Sequence, residues 1–203
     1  MIQYFLERPY LIFILLATVV LTLFVCIKAG QASSKRSKAN ENLIKKLKEE
    51  NELRGEFAIL TPSLAKNAVP TRLFKGVALN LQKRVSDAED MVAEFEKLTQ
   101  EQKEIYALSF VAEDGGERLS EFFKANGQPL TGEALNAVKH FFEGKLIEIF
   151  EFEYKAFDSE NEDVSFVPSE IEAADREFSE LISEDALGET AGRFIAENIE
   201  KFI

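Results

Sequence analysis

The chain has 203 residues, enough for one membrane anchor and one modest domain. Its single cysteine excludes an intrachain disulfide, and its single histidine excludes His-rich metal sites and most catalytic triads. The net charge of −12 is unevenly distributed, because residues 1–85 carry a net charge of +8 and residues 86–203 carry −20. This division predicts a basic part beside a membrane and an acidic part that projects away from it.

An uncharged apolar stretch, Pro9–Ile27, predicts a single-pass transmembrane helix over residues 9–28. Basic residues are concentrated after this stretch, in a predicted linker over residues 29–40. Because an excess of Lys and Arg marks the cytoplasmic side, residues 1–8 are predicted to be extracytoplasmic and the rest of the chain cytoplasmic at the plasma membrane. The alternative is a cleaved signal peptide, for which Gly30-Gln31-Ala32 offers small residues at a cleavage position.

A charged juxtamembrane helix or stalk is predicted over residues 41–69, and an acidic helical domain over residues 70–203. Within the stalk, Thr61-Pro62 is typical of a helix start, and Pro70 begins a longer helix over residues 71–97. Apolar residues recur in that helix at spacings of three and four, which places them on one face. These residues are Phe74, Val77, Leu81, Val85, Ala88, Val92 and Phe95.

Further helices are predicted from capping residues and glycines. Thr99 with Gln102 forms a capping-box pattern, and Gly115-Gly116 ends the helix that it begins. Thr131 is predicted to cap the next long helix, and Ser169 with Glu172 to cap a later one. The last helix covers about residues 185–202, and Val164–Val167 is the only candidate strand. The predicted fold class is all-α, with most phenylalanines in the core.

No catalytic, cofactor-binding or metal-binding residues are predicted, and we do not expect an enzyme. His140 has no second histidine and no cysteine nearby in the sequence, so we expect a surface or half-buried side chain with a hydrogen-bond partner. The acidic run Asp158–Asp163 resembles the start of a calcium-binding loop. It has Asp163 and Ser169 where that loop requires glycine and glutamate, which argues against calcium.

Four motifs in residues 98–203 occur together: Leu98-Thr99-Gln100-Glu101-Gln102, the double glycine, the phenylalanine pair with Asn-Gly, and Phe194-Ile195 with Asn198 near the chain end. In this combination residues 98–203 resemble the bacterial DNA-mimic protein family. The family-signature residues are Gly115, Gly116, Phe122, Phe123, Asn126 and Gly127. The resemblance implies an acidic, all-helical protein that occupies the DNA-binding surface of a basic partner. The acidic charge itself predicts that the domain does not bind nucleic acid directly.

Carboxylates on helices can present charge at a density comparable to duplex DNA, which carries about one charge per 1.7 Å of axis. We expect Glu170, Asp175 and Glu177 to be exposed, because they do not share a helix face with Phe178 and Leu181. The candidate partner-binding residues are Glu160, Glu162, Asp163, Glu170, Glu172, Asp175, Glu177 and Glu180.

Two hypotheses follow for the function. In the first, a membrane-tethered interaction module binds a basic DNA-binding protein through its acidic surface. In the alternative, the chain is a structural or assembly protein of the envelope that forms a homodimer, and its acidity serves only solubility.

Overall fold

A computed structural model describes residues 40–157 and 167–203. The chain divides into two compact units, Met1–Glu49 and Glu50–Ile203. The predicted transmembrane helix and the acidic run Asp158–Asp163 lie outside the described residues. Within the described ranges, none of the helices is both long enough and apolar enough to cross a membrane.

The described residues form helices joined by short connections, without a strand, so the all-α prediction is confirmed for this part of the chain. The helices in chain order are α1 (40–56), α2 (Pro62–Asn67), α3 (Pro70–Ser86), α4 (Met91–Glu96), α5 (Gln100–Asp114), α6 (Leu119–Ala125), α7 (Leu130–Phe141), α8 (Lys145–Phe157), α9 (Pro168–Leu181) and α10 (Glu184–Glu197), and a 3₁₀ turn over Ile199–Lys201 follows.

Two predicted helix starts are confirmed by the hydrogen bonds at their caps. The Thr61 Oγ1 atom accepts from the Leu64 N–H at 3.2 Å, and Pro62 occupies the first turn of α2. At α5 the Gln102 N–H donates to Thr99 Oγ1 at 3.2 Å, and the Thr99 N–H donates back to Gln102 Oε1 at 3.4 Å. These reciprocal bonds satisfy N–H groups that the first turn leaves without intrahelical partners.

The single helix predicted over residues 71–97 is wrong, because α3 ends at Ser86 and α4 begins at Met91. Asp90 caps α4 by accepting from the Ala93 N–H at 3.0 Å. Because α4 is a separate helix, it does not continue the buried face of α3. Phe95 is buried, whereas Val92 is 68% exposed. The polar residues between α3 and α4 favour helix caps over the helix interior, and they interrupt the helix despite the regular apolar spacing.

Two further predicted caps are also wrong. Thr131 lies buried inside α7, which begins one residue earlier at Leu130, after a cis peptide bond between Gln128 and Pro129. Ser169 lies in the first turn of α9, which begins at Pro168 without a side-chain cap. Proline fixes the backbone angle that a first turn needs, which explains the earlier start of α9.

The core of the second unit includes the segment that was predicted to be a stalk. Phe57 and Ala65 are each 2% exposed, so residues 50–69 belong to the helical domain. Helices α3 and α10 cross closely, because a Cβ added at Gly192 would lie 2.0 Å from the Pro70 carbonyl oxygen. Only glycine permits this approach, which makes the crossing a determinant of the fold.

Helices α6, α8 and α9 meet through a chain of aromatic contacts. Phe123 of α6 contacts Phe150 of α8 edge to face with ring centroids 5.8 Å apart, and Phe150 contacts Phe178 of α9 at 5.9 Å. Edge-to-face pairs at these distances stabilise a packing geometry as well as burying apolar area. This junction fixes α9 against α8 and so positions the acidic residues of both helices.

Candidate functional site

Only some of the acidic residues that were predicted to form a binding surface are exposed. Glu170, Glu172 and Glu180 are exposed along α9, and Glu177 is half-buried. Asp175 is not exposed, which corrects the prediction for that residue, since its side chain is 3% accessible. The candidates Glu160, Glu162 and Asp163 lie outside the described residues.

Asp175 is buried because the apolar face of α9 differs from the one predicted. Ala174 and Phe178 point into the core while Leu181 is 51% exposed, so the inward face includes position 175 and excludes position 181. The carboxylate accepts hydrogen bonds from the Ser120 N–H and the Ser120 hydroxyl, both at 2.8 Å, and from Arg118 Nε at 3.1 Å. These bonds replace the water that burial removes.

A second buried carboxyl group lies next to Asp175. Glu153 of α8 is 0% exposed, and neither of its carboxyl oxygens has a hydrogen-bond partner among the described residues. Burial, together with the Asp175 charge and against the opposing charges of Lys124 and Arg118, raises the pKa of Glu153 to about 8. Glu153 is therefore protonated and uncharged in the folded protein at neutral pH.

This pair of carboxyl groups does not form an accessible acid–base site. General acid–base catalysis requires the titrating group within hydrogen-bond reach of a substrate atom. The Glu153 side chain has no exposed surface in this conformation. We therefore interpret the buried junction, defined as Arg118, Ser120, Glu153 and Asp175, as a structural connection between α6, α8 and α9.

A shallow groove of about 360 Å³ runs between α8 and α9. Its floor is apolar and its rim carries three glutamates and one lysine. We call it the α8–α9 groove, and its lining residues are Lys145, Glu148, Ile149, Phe152, Glu170, Ala173, Ala174 and Glu177. It brings together two predicted residues, Glu170 and Glu177, and adds Glu148, which the sequence analysis did not single out.

Ion pairs hold one end of the groove. Lys145 Nζ lies 3.2 Å from a carboxylate oxygen of Glu148 and 3.9 Å from one of Glu177. Because one lysine faces three carboxylates along the groove, the rim retains a negative charge. Glu148 and Glu177 are 70% and 46% exposed, so both carboxylates remain accessible to a partner.

The family-signature residues lie around the connection from α5 to α6 and not in the groove. Phe122 and Phe123 are buried, and a Cβ at Gly115 would lie 2.8 Å from the Val111 carbonyl oxygen. Asn126 Nδ2 donates to Asp114 Oδ2 and to the Phe122 carbonyl oxygen, both at 2.9 Å. These contacts give the signature a role in shaping the fold.

His140 has the environment that its sequence context predicted. Its Nδ1 atom lies 2.7 Å from Glu104 Oε2, and its side chain is 49% exposed. Across the described residues, no group of three or more His, Cys, Asp and Glu side chains is arranged to hold a metal ion.

Among the described residues three acids are buried, Glu104, Glu153 and Asp175, and none of them was predicted to be buried, although the spacing of two of them carries a signal. Glu153 follows Ile149 by four residues and Phe150 by three, which places it on the apolar face of α8. Asp175 has the same relation to Phe178, three residues later. For Asp175 the sequence prediction placed the apolar face through Leu181 as well as Phe178, and because Leu181 is exposed, that face was placed wrongly.

Comparison with known proteins finds no matching family model, and no curated protein or solved structure matches the chain.

Proposed function

We propose that the helical domain is a protein–protein interaction module that binds a basic DNA-binding protein, with the α8–α9 groove as the main contact. In this proposal residues 9–28 tether the module to the plasma membrane, so that the partner is held there and kept from DNA. The bound surface is protein only, and the domain itself does not bind nucleic acid.

The observation that carries the proposal is the composition of the groove. Glu148, Glu170 and Glu177 surround an apolar floor that includes Ile149 and Phe152. Lys and Arg side chains combine an apolar stem with a charged end, so the stem can lie on the floor while the charge meets a carboxylate. A basic DNA-binding surface presents many such side chains, which makes it a chemically suitable partner.

The charge of α9 supports the same partner. The helix contains five acidic residues and one basic residue, Arg176. With Asp175 buried, the other acidic side chains of α9 remain to face solvent or the groove. A surface of this kind attracts basic proteins and repels nucleic acid and anionic lipid. The resemblance of residues 98–203 to DNA-mimic proteins supports the same interpretation.

The test is binding of the domain to purified basic DNA-binding proteins of the source organism, measured by fluorescence anisotropy. We expect affinity to fall about tenfold or more between about 50 mM and about 200 mM salt, because ion pairs dominate the contact. Duplex DNA should displace the domain from its partner. Binding that is insensitive to salt and to DNA would contradict the proposal.

Matched charge reversals locate the contact. Reversal of Glu148, Glu170 and Glu177 to lysine should abolish binding. The control reverses three exposed acids outside the groove, Glu89, Glu197 and Glu200, and changes the net charge by the same amount. If both triple variants lose affinity equally, net charge and not the groove determines binding. Retained binding in the groove variant would exclude the groove as the contact.

A further inference from the structure

We propose that residues 40–49 of α1 form an interfacial helix that lies on an anionic membrane surface, with Leu43, Ile44 and Leu47 in the lipid. The inference rests on the membrane tether of the proposed function, because the tether brings this helix to the bilayer. It adds a second contact with the membrane, made by the described part of the chain.

The first observation is an exposed apolar face. Residues 40–49 are helical and exposed, and Leu43, Ile44 and Leu47 are 55%, 53% and 49% accessible. At about 100° per residue, these three side chains fall within an arc of about 100° on the helix. Three large apolar side chains so close together require a cover that the described residues do not supply.

The second observation is the position of the lysines. On the same helical projection Lys46 lies about 60° beyond one edge of the apolar arc, and Lys48 lies about 40° beyond the other. Lysines at both edges suit a helix that lies flat in a membrane interface, because their stems reach along lipid while their charges stay at the headgroups. Lys45 and Glu49 are 3.8 Å apart on the opposite, polar side.

The surrounding charge favours an anionic leaflet. Residues 28–48 contain seven Lys or Arg residues and one acidic residue, Glu41. Basic residues next to a membrane are attracted to the charged headgroups of anionic lipid. Residues 86–203, which carry a net charge of −20, are repelled by the same surface, so the basic residues near the tether are the ones suited to contact it.

A second copy of the chain is a less suitable cover for this face. The spacing that continues from Leu43 and Leu47 in a coiled coil leads to Glu50 and Arg54, which are both charged. The apolar seam therefore ends after one heptad, whereas a coiled coil needs about three or four. A lipid surface can cover the three apolar side chains without any such repeat.

The experiment places nitroxide labels on the full chain in lipid vesicles, in a Cys26→Ser background. Labels are attached at Leu47→Cys on the apolar face, at Asn42→Cys on the polar face, and at Leu16→Cys in the tether. Collision with oxygen and with a water-soluble nickel complex reports the depth of each label. We expect a several-fold higher oxygen-to-nickel ratio at position 47 than at position 42 in vesicles that contain phosphatidylglycerol.

The matched controls are vesicles of phosphatidylcholine alone and a chain with Lys45, Lys46 and Lys48 changed to glutamine. Both should remove the contrast between positions 47 and 42, while the label at Leu16→Cys stays deep. Equal ratios at 47 and 42 with a deep label at 16 would overturn the interfacial helix and leave the tether intact. A shallow label at 16 would instead overturn the tether. Spin–spin broadening at position 47 would show that a second copy covers this face, which also overturns the inference.

Discussion

Substitution of a buried residue usually lowers the stability of a protein, but replacement of Glu153 by glutamine should increase the stability of this domain as pH rises. Glutamine keeps the size and shape of the side chain but cannot ionise. The Glu153 carboxyl has a pKa of about 8 in the folded protein because of burial, against 4.5 for an unperturbed glutamate. The variant should therefore lose little stability at low pH and gain stability relative to the wild type as pH rises.

The magnitude follows from proton linkage. Below about pH 4.5 the carboxyl is protonated in the folded and the unfolded states. Between 4.5 and about 8 the unfolded chain releases this proton while the folded protein retains it, so the free energy of unfolding falls by about 1.4 kcal/mol per pH unit. Over the whole interval this amounts to roughly 5 kcal/mol, and above it both states are ionised and the fall ends.

The assay is urea unfolding of the compact unit Glu50–Ile203, followed by far-UV circular dichroism from about pH 5 to about pH 8. The difference between Glu153→Gln and the wild type isolates this one carboxyl from all other titrating groups. Glu151→Gln is the matched control, because Lys139 holds the pKa of Glu151 below its usual range and the group is ionised in both states over this interval. A difference between Glu153→Gln and wild type that stays constant with pH would refute the reasoning.

Three further predictions concern stability and use urea unfolding at constant pH. Asp175→Asn removes the charged acceptor of three hydrogen bonds and should lower the free energy of unfolding by about 3 kcal/mol; a loss under about 1 kcal/mol would contradict the role of the junction. Gly192→Ala puts a methyl group 2.0 Å from the Pro70 carbonyl oxygen and should lower the free energy of unfolding by at least about 2 kcal/mol. The control is Gly55→Ala, where a Cβ meets nothing within 4 Å, and it should be neutral or stabilising by up to about 1 kcal/mol. Equal effects at the two glycines would refute the close crossing. Thr99→Ala removes the capping box and should cost about 1 kcal/mol, and an unchanged midpoint would show that water replaces the cap.

Local signals in the sequence predicted the helix starts that depend on local chemistry. The Thr99 capping box and the Thr61 cap both form as expected, because each involves residues within one turn of each other. The break between α3 and α4 was not predicted, although its signal is also local. Asp90 provides a cap of the same kind, but the regular apolar spacing across it suggested a continuous helix.

The buried junction could be predicted only in part. The spacing of Glu153 from Ile149 and Phe150 places it on the apolar face of α8, which is visible in the sequence. The burial of Asp175 was not predicted, because the apolar face of α9 was expected to include Leu181, which is exposed. The partners of the two acids are not visible in the sequence, since Ser120 is 55 residues from Asp175 and no local pattern connects them. The two acids differ in these partners, because Asp175 accepts from three donors and Glu153 has no hydrogen-bond partner among the described residues.

The acidic residues of α8 and α9 therefore fall into two separable groups. Glu153 and Asp175 are buried and contribute to folding, whereas Glu148, Glu170 and Glu177 lie along the groove, where a basic partner could reach them. A net charge of −20 for residues 86–203 counts both kinds alike. Substitutions in the junction should change stability and its pH dependence, and substitutions along the groove should change partner affinity at unchanged stability. An experiment that reversed charges without this distinction would mistake an unfolded domain for a lost binding site.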